Sequence, residues 1–175
     1  MAGGKHILGK AKRHIFGTAR VGEKGQIVIP KEARQIFGVQ VENDPWNAPW
    51  LSETLASCVE LMAYRQREGD AAYEKRFYDE IEIATRLTRP HGVVIGASTE
   101  HFGGDGEMTQ VLRDAGAANL MGIEQAVGQE AFIRALQTYI AENAGGIGSL
   151  EALESALERE TGSDWSGYLA DMLAS

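Results

Sequence analysis

The chain has 175 residues, of which 43% are hydrophobic, a composition typical of a globular protein with room for a buried core. Its net charge of −8 is unevenly distributed, because residues 1–39 carry +6 and residues 40–175 carry −14. A single cysteine excludes an intrachain disulfide and a cysteine metal cluster. The first residues hold too little apolar sequence for a secretory signal or a membrane span, so we expect a cytoplasmic protein without membrane contact.

The first forty residues predict a β-hairpin followed by a short helix. Residues that favour strands dominate from His14 to Val21, turn residues follow from Gly22 to Gly25, and Gln26 to Ile29 resumes the extended pattern. Pro30 favours a helix start, and Gly38 is placed to end a helix of two turns. Because an isolated hairpin buries little apolar surface, this unit needs a partner.

The next stretch, residues 40–49, predicts a loop or a linker. It contains two prolines, two asparagines and an aspartate, which together interrupt regular structure. Trp46 and Trp50 argue that this stretch packs against something. We therefore predict two parts, a hairpin-helix element over residues 1–39 and a helical domain over residues 40–175.

After residue 50, apolar residues recur at three- and four-residue spacing, which predicts five or six packed helices. Ser52 and Ser149 are expected N-caps, and Gly162 is the expected end of the helix that Ser149 begins. The apolar run from Val93 to Ile95 is either loop or a short strand. The fold class is therefore α+β and mostly α. The predicted helical segments are Ser52 to Gly69, Ala71 to Leu87, Glu107 to Val127 with an interruption near Gly116, Gln129 to Asn143, Leu150 to Leu157, and a last one around Trp165 and Leu169.

The segment from Thr18 to Arg34 carries the pattern Lys-Gly-Gln-Ile-x-Ile-Pro-Lys-x-x-Arg. It resembles the swapped-hairpin DNA-binding domain of AbrB/SpoVT regulators and MazE-like antitoxins, in which two chains intertwine and basic residues face DNA. The resemblance implies a homodimer through the hairpin and contacts to duplex DNA from Arg20, Lys24, Lys31 and Arg34. Phosphate contacts of this kind make affinity fall steeply with salt. Alternatively, Arg20 and Lys24 are charges that discourage association between strand edges.

The clearest pattern in the second part is Trp50-Leu51-Ser52-Glu53. It is accompanied by Asn43-Asp44-Pro45, by Gly116-Ala117 and by the run from Val127 to Phe132. From Phe37 onward the chain resembles the helical lobe that follows the HExxH helix in alanyl-type gluzincin aminopeptidases. The resemblance implies a multi-helix domain of metallopeptidase type.

In gluzincins, two histidines of HExxH and a later glutamate bind the catalytic zinc. The resemblance places that glutamate at Glu53, the two histidines at Pro30 and Arg34, and the general base at Lys31. It places the transition-state tyrosine at Arg113. A catalytic zinc needs three N, O or S donors and an open position for water. Glu53 alone among these positions supplies such a donor.

We therefore predict a DNA-binding head fused to a catalytically incomplete metallopeptidase-like domain, with no catalytic residues, no cofactor and no peptidase activity. Glu53 is interpreted as an acid that stabilises a helix N-terminus, at a residual zinc-ligand position. One alternative is a zinc-dependent aminopeptidase, or a fragment of one, in which Glu53 binds zinc with help from another chain. A second alternative is a non-catalytic interaction module whose acidic domain binds a basic partner. Cys58 is expected to be a buried thiol.

Overall fold

The computed structural model describes residues 37, 40–82 and 92–175 and the backbone of residues 20–21 and 27–28. Before residue 37, Arg20–Val21 (β1) and Ile27–Val28 (β2) pair antiparallel, with Arg20 opposite Val28. The rest of the predicted hairpin, and all of the predicted helix before Phe37, lie outside the described residues. The complete hairpin and the swapped dimer therefore stay predictions.

The first helix of the helical domain, α1, spans Trp50–Glu68. It begins two residues before the predicted start, because Pro49 rather than Ser52 occupies the N-cap. The Ser52 hydroxyl donates to the Pro49 carbonyl oxygen at 3.3 Å, so this serine lies inside the first turn and the predicted serine cap is wrong. Proline is tolerated there because the N–H groups of a first turn have no intrahelical acceptor. Gly69 ends α1 with φ 87°, a conformation that favours glycine.

Helix α2 spans Asp70–Arg76 and continues as a π-helical segment, Phe77–Glu82. The predicted helix from Ala71 is confirmed over this range, and its last residues, up to Leu87, lie outside the described part of the chain. The turn at Val93 to Ile95 is not a strand. Instead, the Ile95 N–H donates to the Ser175 carbonyl oxygen at 3.1 Å, which ties this turn to the last residues.

Helix α3, Asp105–Met108, runs into a second π-helical segment, Thr109–Gly116, and then into α4, Ala117–Val127. The predicted interruption at Gly116 is wrong, because that residue has helical angles, φ −60° and ψ −49°. A π-helical segment is wider than an α-helix and is frequent at functional sites. Here it lies against the first turns of α1.

The last three helices are α5 (Gln129–Asn143), α6 (Leu150–Thr161) and α7 (Ser166–Leu173). Their positions confirm the predicted segments. The Ser149 hydroxyl accepts from the Ala152 N–H at 3.2 Å, and Gly162 ends α6 with φ 72°, so both predicted caps of α6 are confirmed.

The described helices pack around one hydrophobic core. Helix α1 contributes Leu55 and Val59, and α5 contributes Phe132 and Leu136. Phe37 is also buried in this core, 4% exposed, although it stands on the head side of the predicted boundary at residue 39. That boundary stays a prediction. Within the described residues, no helix combines the length and the apolar composition that crossing a membrane requires.

Candidate functional site

A salt bridge joins the two residues that the gluzincin resemblance assigns to one centre. Glu53 lies in the first turn of α1, and Arg113 lies in the π-helical segment Thr109–Gly116. The Arg113 Nε donates to Glu53 Oε2 at 2.6 Å, across 60 residues of sequence. Both side chains are half-buried, with 26% of Glu53 and 32% of Arg113 exposed. The structure therefore places a guanidinium directly against the candidate zinc ligand.

Thr54 fixes the distance between α1 and the π-helical segment. Its side chain is fully buried, and its hydroxyl donates to the Leu112 carbonyl oxygen at 2.7 Å. A Cβ at Gly116 would lie only 2.5 Å from Thr54 Oγ1, so this contact requires glycine. Because Arg113 follows Leu112 directly, the same contact holds the guanidinium beside Glu53. Gly116 was predicted to interrupt the helix, and its packing against Thr54 was not predicted from the sequence.

The described residues of this centre do not fit a zinc ion. Zinc is held by three or four N, O or S donors, and Glu53 supplies a carboxylate that already accepts from a cation. The positive charge of Arg113 at that distance would also repel a divalent cation. Over residues 37, 40–82 and 92–175, no three His, Cys, Asp or Glu side chains assemble as a metal site would need. Pro30, Lys31 and Arg34 lie outside the described residues.

Of the four predicted DNA-contacting residues, the structure describes only the backbone of Arg20. Arg20 lies in β1, where only its backbone pairing is described. Lys24, Lys31 and Arg34 lie outside the described part of the chain. Their contacts to DNA stay predictions from the sequence pattern.

A second polar cluster, not predicted from the sequence, lies near the other end of α1. Arg65 donates from Nε to Asp70 Oδ1 at 2.5 Å and from Nη1 to Glu124 Oε1 at 3.2 Å. Its guanidinium carbon lies 5.2 Å from the centre of the Tyr73 ring, within cation–π range. The Glu124 side chain is only 4% exposed, whereas Asp70 is 71% exposed.

Burial raises the pKa of Glu124, and the attraction of Arg65 only partly offsets this effect. Two signals for the cluster were present in the sequence. Glu124 lies three residues after Met121 and four after Leu120, so it shares a helix face with apolar side chains. A carboxylate at such a position needs a cationic partner. What the sequence could not supply was the identity of that partner, which lies 59 residues away.

Similar sequences and solved structures are known for the helical domain. No protein-family model matches the chain. Aminopeptidase M1-B of Oryza sativa subsp. japonica is 30% identical over 154 residues, which is 85% of this chain and 17% of that protein. An M1 zinc metallopeptidase of Deinococcus radiodurans has 26% identity and a TM-score of 0.63, over 82% of this chain and 31% of that one. The helical domain resembles part of an M1 aminopeptidase.

This M1-like domain also matches a mutant of an M1 zinc metallopeptidase from Deinococcus radiodurans bound to a Tyr-Ser-Ala substrate, with 26% identity and a TM-score of 0.63. These matches confirm the prediction that the helices resemble part of a gluzincin aminopeptidase. The chain spans 17% of the curated relative and 31% of the solved structures. The likeness of residues 18–34 to AbrB/SpoVT regulators stays a prediction.

Proposed function

We propose that this chain acts by binding rather than by peptide hydrolysis. In its M1-like domain, Arg113 occupies the carboxylate of Glu53, the candidate zinc ligand. Its basic head, residues 1–39, contacts duplex DNA. The observation that carries the first half is the salt bridge between Glu53 and Arg113. The Arg113 guanidinium neutralises the Glu53 carboxylate and donates a hydrogen bond to it. In a zinc centre, the same carboxylate would bind the metal together with two further protein donors.

The shortage of metal-binding donors around Glu53 predicts that zinc does not bind even after the Arg113 cation is removed. We expect purified wild-type chain and Arg113→Met to hold substoichiometric zinc by mass spectrometry and to leave leucine p-nitroanilide intact. The physical reason is that Pro30 and Arg34, at the positions of the two histidines, offer no metal-binding donor. Stoichiometric zinc with anilide cleavage by the wild type would reject the proposal. Zinc gained only by Arg113→Met would show that Arg113, and not a shortage of donors, blocks the site.

The second half of the proposal concerns the head. Residues 1–39 carry a net charge of +6, and the segment from Thr18 to Arg34 places four of these cations on the predicted hairpin and helix, three of them within the Lys-Gly-Gln-Ile-x-Ile-Pro-Lys-x-x-Arg pattern. Such a charge density attracts phosphates and releases counterions from DNA, whereas the M1-like part, at −14, repels them. DNA binding through a homodimeric hairpin follows from this charge separation and from the AbrB resemblance together.

Fluorescence anisotropy with labelled duplex DNA tests the head. The double variant Arg20→Glu/Lys24→Glu is expected to bind at least about tenfold more weakly and to reduce the slope of log affinity against log salt by about two. Lys75→Glu is the matched control, since Lys75 is 79% exposed but lies on α2 of the M1-like domain. Absence of salt-sensitive binding, or equal losses in both variants, would contradict DNA contact by the head.

Two other functions each have one observation in their favour. The 30% identity to an aminopeptidase favours a piece of a zinc aminopeptidase, in which Glu53 would bind zinc together with donors from another chain. The acidic charge of residues 40–175 favours an interaction module that takes a basic partner. The zinc measurement separates the first of these from our proposal, and the DNA titration separates the second.

A further inference from the structure

A cavity of about 230 Å³, partly open to solvent, lies between the C-terminal half of α1 and the start of α5. Met62, Ala63 and Ile133 form its apolar lining, and Arg65, Asp70 and two glutamines form its polar lining. Met62 is nine residues after Glu53, which is about 14 Å along the helix axis, so the cavity is separate from the salt bridge between Glu53 and Arg113. A cavity of this size is smaller than the roughly 300 Å³ at which drug-sized sites begin, and it suits a ligand of one amino-acid residue.

Arg65 supplies the cavity with a guanidinium that is held in one orientation and has N–H groups left to donate to a ligand. A guanidinium carries five N–H groups, and the ion pairs with Asp70 and Glu124 use one on Nε and one on Nη1. The buried Glu124 and the Tyr73 ring hold the guanidinium in one orientation. Its remaining N–H groups suit the oxygens of a carboxylate, which guanidinium groups bind in a planar, often bidentate geometry.

The other groups that line the cavity further restrict the chemical class of ligand that fits it. Helix α5 begins at Gln129 after Gly128, and no side chain caps its first N–H groups, so the adjoining end of the cavity carries partial positive charge. The side-chain amides of Gln66 and Gln129 can accept from and donate to a peptide group. Met62 and Ile133 offer a surface for an aliphatic side chain.

We propose that this cavity binds a small acyl-amino-acid carboxylate, either free or as the C-terminal residue of a peptide. The carboxylate accepts from Arg65, the amides of Gln66 and Gln129 pair with the ligand's peptide group, and its aliphatic side chain lies on Met62 and Ile133. The exposed Asp70 competes with the ligand carboxylate for the same guanidinium, because it already accepts from Arg65 Nε. Removing its charge therefore strengthens binding.

Isothermal titration calorimetry of the full chain tests this site with N-acetyl-L-leucine and with N-acetyl-L-leucinamide, which lacks the charge. We expect saturable binding of the acid at millimolar concentration or below and at least about tenfold weaker binding of the amide. A longer peptide ending in leucine identifies the source of the ligand. Binding as tight as that of N-acetyl-L-leucine indicates a peptide C-terminus, and exclusion indicates a free small acid.

Two variants with opposite expected effects test whether the acid binds in this cavity. Both keep Arg65, because removing it is expected to destabilise the fold. Gln129→Glu puts a negative charge into the cavity and is expected to weaken binding of the acid about tenfold, whereas Asp70→Asn is expected to strengthen it several-fold. Gln40→Glu is the matched control, because Gln40 is exposed and does not line the cavity. No saturable binding, equal binding of acid and amide, or equal effects of Gln129→Glu and Gln40→Glu would overturn the proposal.

Discussion

Arg65→Met is expected to lower the free energy of unfolding by about 3 kcal/mol at neutral pH, as measured by urea denaturation. Methionine keeps the apolar stem but removes the charge, so the Glu124 carboxylate, 4% exposed, is left without its cationic partner. An unpaired buried charge costs far more than an ion pair contributes at a surface. The variant also loses the hydrogen bond to Asp70 and the contact with the Tyr73 ring.

The penalty of Arg65→Met is expected to depend on pH through Glu124. Burial already raises the folded-state pKa of this carboxyl above its ordinary value of 4.5, and losing Arg65 raises it further. A group with a raised folded-state pKa stabilises the fold below its unfolded pKa, and that contribution is lost as pH rises through the folded pKa. The penalty of Arg65→Met should therefore grow as pH rises through the wild-type folded-state pKa of Glu124, which lies above 4.5, toward the higher pKa of the variant.

Two further variants make the Arg65 result interpretable. Arg67→Met is the matched control, since Arg67 lies on the same helix, also faces a tyrosine ring and pairs with exposed Glu68. We expect it to cost less than about 1 kcal/mol. Adding Glu124→Gln to Arg65→Met should recover part of the loss, because no charge then remains buried. Equal losses for Arg65→Met and Arg67→Met would refute a buried-charge penalty.

Gly116→Ala is expected to destabilise the domain by about 3 kcal/mol, as measured by thermal or urea unfolding. The new Cβ would lie 2.5 Å from Thr54 Oγ1 and 2.9 Å from Thr54 Cγ2, and Thr54 is fully buried. To relieve the clash, the π-helical segment must move away from α1. That movement breaks the hydrogen bond from Thr54 to Leu112, and it separates Arg113 from Glu53.

A double-mutant cycle tests whether Thr54 is the obstacle. Thr54→Ala removes both nearest atoms, so Thr54→Ala/Gly116→Ala is expected to be at least about 1 kcal/mol more stable than the sum of the single losses. Gly106→Ala is the matched control, because that glycine is helical and its added Cβ would meet nothing within 4 Å. It should leave stability unchanged or raise it slightly, since alanine favours helix. Additive losses in the cycle would show that the cost arises elsewhere.

Helix positions could be predicted from the sequence wherever the determining signals are local. Helix α5 matches its predicted range because its apolar spacing is complete and Gly128 stands before it. The start of α6 follows from the Ser149 cap, which needs only Ala152 as a partner. The N-terminus of α1 was misplaced because serine is a good cap in general, and nothing nearby revealed that Pro49 occupies that position.

Contacts between distant residues were predictable only where a family pattern supplied them. The gluzincin resemblance assigned Glu53 and Arg113 to one centre, and the structure joins them directly. No such pattern linked Arg65 to Glu124, so the cluster around the cavity could not be foreseen. The π-helical segment at Thr109–Gly116 was also missed, because an apolar repeat near four residues does not distinguish it from an ordinary helix.

The burial of Cys58 limits how copies of this protein can be covalently joined. The sulfur is wholly enclosed in the core, as predicted, its pKa is raised by burial, and the chain has no second cysteine. A thiol reacts through its thiolate and only where an oxidant or another thiol can reach it. Two folded copies therefore cannot be cross-linked through sulfur. A covalent pair on a non-reducing gel would mark molecules that had opened before they were oxidised.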